Sequence, residues 1–417
     1  LTRTFSLKIT DVNVVTKGLP RSNTILIQVK SDEGFTGIGA TYAEQALGKS
    51  DIDDFIDIGE RSLRNILVGV DPTDVEIIWE RLSSVAPGIG VLNSKAGIQH
   101  DLRYQWVNKE QSITRAMAAI DMALWDLRGK VKGVPVCDLL GGAIKSKIPV
   151  YASATAFDLA AWENQGILKH KSQDMLVKEA IAHVNLGFRA MKWGWGNYFS
   201  EENLETLFAI REAVGPKTKI MLDFGGRPKQ GWKLHDAIQL TQSLNDHDIF
   251  FLEELLPPTD VNDFHTLTEH SPIKVATGEH LSTVYDCKQF IDRHAIDILQ
   301  HDVKNMGLTQ FIQVSEMANQ ANIMCIPHGP WSALCIASHL NVLATLENGF
   351  MIEYPSPFIE SGGLNEPLMW PMHNTVIEKP LKIEDGYLKT PDSPGLGLGD
   401  FVPEAIDELK SFMTFTD

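Results

Sequence analysis

Six acidic or imidazole side chains recur along the second half of the chain, each closing a short apolar run. They are Asp223 in KIMLDF, Glu253 in IFFLEE, Glu279 in IKVATGE, Asp302 in IDILQHD, His328 in NIMCIPH and Glu353 in FMIEYP. Neighbours lie about two to three dozen residues apart, roughly the length of one strand–helix unit. Alone, each of the first three would read as an ordinary surface or helix-capping acid. Three carboxylates at successive run ends repel one another unless a cation neutralises them, and hard oxygen ligands of this kind suit Mg²⁺. Asp302 and His328 end the next two runs. A carboxylate on one imidazole nitrogen fixes the tautomer and raises the basicity of the other, which makes His328 a candidate general base. Glu353 could hydrogen-bond a substrate oxygen or close a salt bridge. Lys192, in RAMKWGWGNY, closes an earlier run and could serve as a base or an electrophile according to its pKa. Trp193 and Trp195 beside it read first as packing residues, with room left by Gly194 and Gly196. A metal site with a base beside it suits removal of the weakly acidic proton α to a carboxylate, with the metal stabilising the enediolate.

Such residues converge only if a fold gathers them. From Ile148 onwards strand-like and helix-like stretches alternate, with strands expected at 149–154, 188–193, 219–224, 249–254, 273–279, 296–302, 322–328 and 350–355. Eight such units match an α/β fold of the (β/α)8 barrel type, whose strands deliver their carboxyl ends to one mouth. The preceding part reads as α+β. Residues 5–40 form paired strands with a turn at Ser31–Gly34, and 50–140 are mostly helical, as in SITRAMAAIDMALWDLRGKVKG. Between lies a long, poorly periodic stretch, about 85–111. The tail 376–417 reads as strand and loop, and its PGLGLGD as a turn, because it lacks the strand-then-helix setting of a dinucleotide fingerprint.

The bulk numbers set limits. A chain of 417 residues exceeds one typical core. The net charge of −17 and pI near 5.2 argue against nucleic acid as a partner. They leave an anionic small substrate open, since a bound cation reverses the local field. The four cysteines form no CxxC pair and read as reduced thiols of a cytoplasmic protein. We expect neither a signal peptide nor a membrane span.

As an ordered set, these residues resemble the enolase superfamily, and within it the mandelate racemase subgroup. SDEGFTGIGAT and AIDMALWDLRGKVKGVPVCDLLGG are similar to recurrent segments of that family's capping domain, and DGYLKTPDSPGLGLGD to its closing segment. The resemblance implies a capping domain over 1–140, an enolase-like modified barrel over 141–375 and a segment, 376–417, returning to the cap. It implies Asp223, Glu253 and Glu279 as Mg²⁺ ligands, Asp302 and His328 as the catalytic dyad, and Glu353 as hydrogen-bond donor to the enolised carboxylate. It makes Lys192 the first lysine of a Lys-x-Lys pair whose second member is here Gly194. Further departures are Asp223-Phe224-Gly225 in place of Asp-x-Asn, and a single glycine in VKNMGL.

LEELLPP, and His280 in GEH, look most like acid-sugar dehydratases of the rhamnonate dehydratase type. The expected reaction is Mg²⁺-dependent dehydration of an aldonate or aldarate to a 2-keto-3-deoxy acid. One base suffices for that, which fits Gly194. The alternatives are an epimerase, racemase or cycloisomerase using Lys192 and His328 as opposed bases and, more remotely, a non-catalytic barrel that binds an acid metabolite. Candidate substrate contacts are His280, Trp195, Arg21, His100 and Arg103. The resemblance also implies a homo-oligomer, from dimer to octamer.

Overall fold

A computed structural model describes residues 7–16, 24–42, 63–85, 109–158, 169–196, 199–225, 232–258, 260–329, 332–356 and 374–414. The N-terminal part opens with an antiparallel sheet of β1 (Ile9–Val14), β2 (Thr24–Ser31) and β3 (Thr36–Tyr42), in that spatial order. Ile9, Val12 and Val14 of β1 are buried. Val12 and Val14 keep the period of two, and an irregularity in the β1–β2 register between Ile9 and Asp11 brings Ile9 to the same face. The β2–β3 reversal falls where expected, with Gly34 at φ 84° supplying the left-handed residue. Helices α1 (Leu63–Leu67), α2 (Val75–Val85) and α3 (Lys109–Lys132) follow, with a short α4 at Val136–Leu139.

Helix α3 is buried on all sides, because it lies between this sheet and the barrel. Every residue from Ala116 to Leu124 is at most 1% exposed. Glycine allows the close approach on the sheet side. A Cβ on Gly39 would stand 2.0 Å from the Ala119 carbonyl oxygen, and one on Gly37 would stand 2.0 Å from that of Ala123.

Eight parallel strands form the barrel: β4 (Lys147–Thr155), β5 (Ala190–Gly194), β6 (Lys219–Asp223), β7 (Ile249–Glu253), β8 (Lys274–Thr277), β9 (Ile298–Leu299), β10 (Met324–Cys325) and β11 (Ile352–Pro355). Each falls within or next to its expected range. Successive strands pair in order, β11 pairs with β4, and a Cys325–Gly349 bridge links β10 to the approach to β11. Helices α5 (Gln173–Asn185), α6 (Glu201–Val214), α7 (Leu234–Ser243), α8 (Val261–His270), α9 (Val284–Asp292), α10 (Val303–Gln320) and α11 (Ala333–Leu343) connect them.

Two layers of inward side chains carry the functional logic. Tyr151, Ala190, Met221, Phe251 and Met351 make an apolar floor. Two residues further along the same strands stand Ser153, Lys192, Asp223, Glu253 and Glu353. A strand returns to the same face every second residue, so a packed floor forces the next layer toward the mouth.

The cap meets the barrel chiefly through α3 and α10. Asp121 accepts hydrogen bonds from Thr309 N (2.7 Å) and Oγ1 (2.6 Å), and Trp125 Nε1 donates to Thr309 Oγ1 (2.9 Å). Helix α10 is broken at Gly307, φ 73°, where a Cβ would strike the Trp79 ring. The tail forms a hairpin of β12 (Ile383–Glu384) and β13 (Tyr387–Lys389) that pairs with β4. The glycine run is a turn against α3: Leu396 N donates to Asp126 Oδ1 (2.7 Å) and Lys130 Nζ to the Gly399 carbonyl (2.9 Å). The chain then enters α12 (Pro403–Thr414), where strand and loop were expected. Pro403 at the first helical position starts this helix, and Ile406, Leu409 and Met413 recur at helical spacing, a period the sequence carried. Gly39→Val should therefore destabilise the cap by about 3 kcal/mol or more through overpacking against a backbone oxygen. An unchanged thermal midpoint would count against this packing.

Candidate active site

The structure gathers Lys192, Asp223, Glu253, Glu279, Asp302, His328 and Glu353 at the carboxyl ends of the barrel strands. Lys192, Glu253, Asp302, His328 and Glu353 are buried, and Asp223 and Glu279 are half-buried. Asp223 and Glu253 are the last residues of β6 and β7, in register with each other. Glu279 follows β8 after Gly278, and Asp302 caps α10 just beyond β9.

Ligand oxygens of Asp223, Glu253 and Glu279 lie within 4.8 Å of one another. Lys192 Nζ sits among these acids, 2.6 Å from Glu253 Oε2, 3.1 Å from Glu353 Oε1 and 3.8 Å from Asp223 Oδ2. Burial alone would push this ammonium down, but Glu253 and Glu353 outweigh it and hold its pKa well above the usual lysine value. One lysine cannot neutralise so many acids. Burial, with Asp223 and Glu279 nearby, pushes the Glu253 carboxyl well up despite Lys192. Its Oε2 accepts from Lys192 and from Gln300 Nε2 (2.7 Å), whereas its buried Oε1 has no hydrogen-bond partner among the described residues. An orphaned buried carboxylate oxygen is costly. A divalent cation would satisfy it, and the all-oxygen donor set fits Mg²⁺.

His328 stands beside this cluster. Its Nδ1 is 2.9 Å from Asp302 Oδ2, and its Nε2 is 3.2 Å from Glu279 Oε2. Asp302 Oδ1 accepts from Lys304 N (2.9 Å), and the Lys304 ammonium lies 3.4 Å from Oδ2. Burial would raise the Asp302 pKa, but Lys304 and His328 outweigh it and hold the acid ionised. Asp302 therefore holds the proton on His328 Nδ1. Burial would lower the imidazole's pKa, but Glu279 and Glu353 outweigh it and raise it. Nε2 thus shares a proton with Glu279 here and would become the free acceptor when a cation takes up that carboxylate.

Glu353 accepts from Ser153 Oγ (2.6 Å), from Gly329 N (3.2 Å) and from Lys192. Burial pushes its pKa up, but Lys192 and His328 bring it below the usual value. Donors on both oxygens favour the carboxylate, so in this arrangement Glu353 accepts hydrogen bonds and Lys192 donates them. His280 is partly exposed at the mouth, with Nε2 3.0 Å from Glu279 Oε1 and 3.6 Å from Glu254 Oε2. Those two acids and His280 make a second group able to hold a cation. Trp195 is fully buried: its N donates to the Asp223 carbonyl (2.6 Å), its ring packs edge-on against His170, and it borders a cavity of about 700 Å³ between the loops after β4 and β5. Gly194 leaves open space, since a Cβ there would come no nearer than 3.7 Å to any described atom. Arg21, His100 and Arg103 lie outside the described residues. Sequence reasoning missed Ser153, Gln300 and Lys304. Gln300 and Lys304 each stand two residues from Asp302, and that spacing was the available signal; Ser153 had none.

Two family models match the chain. One, described as the mandelate racemase / muconate lactonizing enzyme N-terminal domain, covers residues 6–141, and the other, enolase C-terminal domain-like, covers residues 175–399. The chain belongs to the enolase superfamily, in its mandelate racemase subgroup. Its relatives include the L-rhamnonate dehydratase of Saccharopolyspora erythraea, 27% identical over 91% of this chain and 84% of that one. The 3,6-anhydro-alpha-L-galactonate cycloisomerase of Streptomyces coelicolor is 25% identical over 90% and 88%. The crystal structure of the 3,6-anhydro-D-galactonate cycloisomerase from Zobellia galactanivorans shares the fold, with a TM-score of 0.74 at 24% identity over 96% of this chain and 99% of that one.

If the carboxylate cluster holds the ion, Mg²⁺ at about a hundredfold excess over its Kd should stabilise the protein by roughly 2.7 kcal/mol. Glu253→Gln should shrink that Mg²⁺-dependent shift. An equal shift in the variant would remove Glu253 from the ligand set.

Proposed function

We propose that this chain is a Mg²⁺-dependent acid-sugar dehydratase, acting on an aldonate or aldarate and forming a 2-keto-3-deoxy acid. The observation that carries this reading is the single Asp302–His328 dyad, with Nε2 directed at the carboxylate cluster and no lysine at position 194. Asp223, Glu253 and Glu279 would hold the ion, and when bound it would offset the negative charge that builds on the substrate carboxylate.

The chain's own residues account for the proton movements. His328 Nε2 takes the proton from C2, while Asp302 keeps its hydrogen bond to Nδ1 and stabilises the imidazolium. The electron pair left on C2 moves toward the carboxylate, where the Lys192 ammonium is placed to donate a hydrogen bond. As that pair returns to form the C2–C3 double bond, the C3–oxygen bond breaks. His328⁺ gives its proton to the departing hydroxyl, which leaves as water. The resulting enol tautomerises to the 2-keto acid. One base serves both steps when the lost groups share a face. Ser153 and Gly329 N hold the Glu353 carboxylate against Lys192 and so fix that ammonium.

The cycloisomerase relative supports a second reading, isomerisation of a sugar acid or lactone. A two-base version needs Lys192 to accept a proton, and the acids around it oppose that. His280, beside Glu279, is the described candidate for contact with the rest of the substrate.

The test is a panel of aldonic and aldaric acids with Mg²⁺, assayed for 2-keto acid. At least one should be converted, and His328→Asn should cut kcat by about 10²–10⁴-fold with the fold intact. Absence of any 2-keto product across the panel would overturn the dehydratase reading.

A further inference from the structure

Lys304 is 3% exposed, yet it carries an ammonium. Burying such a group is expensive unless it is paired. Its position adds to the cost. It lies in the first turn of α10, where unsatisfied backbone N–H groups make the surroundings electropositive. Two unfavourable terms thus act on one side chain, and among the described residues the Asp302 carboxylate lies beside it, 3.4 Å from Nζ.

The turn that carries Lys304 is pinned on both sides. Thr41 Oγ1, at the end of β3 in the cap, donates to the Lys304 carbonyl (3.2 Å). Asn305 Nδ2 donates to the Glu279 carbonyl (2.7 Å). Asp302 Oδ1 is engaged by Lys304 N, so Oδ2 is the oxygen shared between the Lys304 ammonium and His328 Nδ1. We propose that Lys304 is a positioning residue of the reaction, the buried counter-ion that holds Asp302 Oδ2 in line with His328 Nδ1 and turns the dyad into a Lys304–Asp302–His328 triad.

The inference rests on the reading of His328 as the base. The ammonium does not touch substrate in this account but acts through Asp302. With the cation removed, Asp302 keeps its backbone cap on Oδ1 but loses the charge that anchors Oδ2. The imidazole is then held by one movable carboxylate instead of a clamped one, and misplacement of a base by a fraction of an ångström is costly in rate.

The experiment compares Lys304→Met, Lys304→Arg and His328→Asn on an acid sugar that the wild-type protein converts with Mg²⁺, together with crystal structures of the wild-type and Lys304→Met proteins. We expect Lys304→Met to lower kcat by about tenfold or more with KM little changed, the signature of an interaction needed in the transition state. Lys304→Arg, which keeps the charge, should recover most of that loss. The structure of the methionine variant should show the Asp302 carboxylate turned away from His328 Nδ1. Wild-type kcat in Lys304→Met alongside an inactive His328→Asn would overturn the role of Lys304 alone. Full activity in His328→Asn would overturn the underlying reading. If no panel acid is converted, or if Lys304→Met is too unstable to assay, the geometry decides, with Lys304→Gln crystallised in its place where needed. An unchanged Asp302–His328 contact in the uncharged variant would overturn the proposal.

Discussion

The constraint on which this structure depends is the mutual repulsion of acids buried at one barrel mouth. Asp223, Glu253 and Glu353 crowd around one ammonium, and Glu279 lies alongside between two imidazoles. Such an arrangement is unstable in isolation, because desolvated like charges cannot all remain ionised without counter-charge. Lys192 supplies one positive charge. The unpartnered Glu253 Oε1 marks where more is needed. The cluster therefore suits a divalent cation, and the chemistry proposed for the site would use that same charge.

The rest of the architecture reads as the means of holding that cluster. The apolar floor of Tyr151, Met221 and Phe251 seals the barrel below it and leaves the mouth as the place for polar side chains. The cap sheet is drawn close by Gly37 and Gly39, and Asp121 ties α3 to Thr309. Through Thr41 and Lys304 the same cap touches the turn that carries Asp302. Cap docking and base placement are therefore mechanically connected.

Much of this was legible in the residues. The eight strands and the convergence of Asp223, Glu253, Glu279, Asp302, His328 and Glu353 follow from acids or histidine ending apolar runs at the spacing of a βα unit. Other features were hidden for physical reasons. Ser153 is an ordinary polar residue until its neighbours are known, since a hydrogen-bond partner 200 positions away leaves no local periodic trace. The helix at Pro403–Thr414 was not hidden in this way, since Ile406, Leu409 and Met413 stand at helical spacing behind Pro403. The charge state of Glu353 was also not deducible, because it depends on donors from Ser153, Lys192 and Gly329 arriving together. Gly194 is the opposite case. Its identity alone bears on the number of bases, whereas the open space around it shows only that a side chain would fit there.

The central claim is that the acids of β6, β7 and the β8 end share one divalent ion. Anomalous diffraction from crystals grown with Mn²⁺ in place of Mg²⁺ tests it directly. The account predicts one strong peak within bonding distance of Asp223, Glu253 and Glu279. A peak bound by Glu254, Glu279 and His280 instead, or none near the cluster at saturating Mn²⁺, would contradict it.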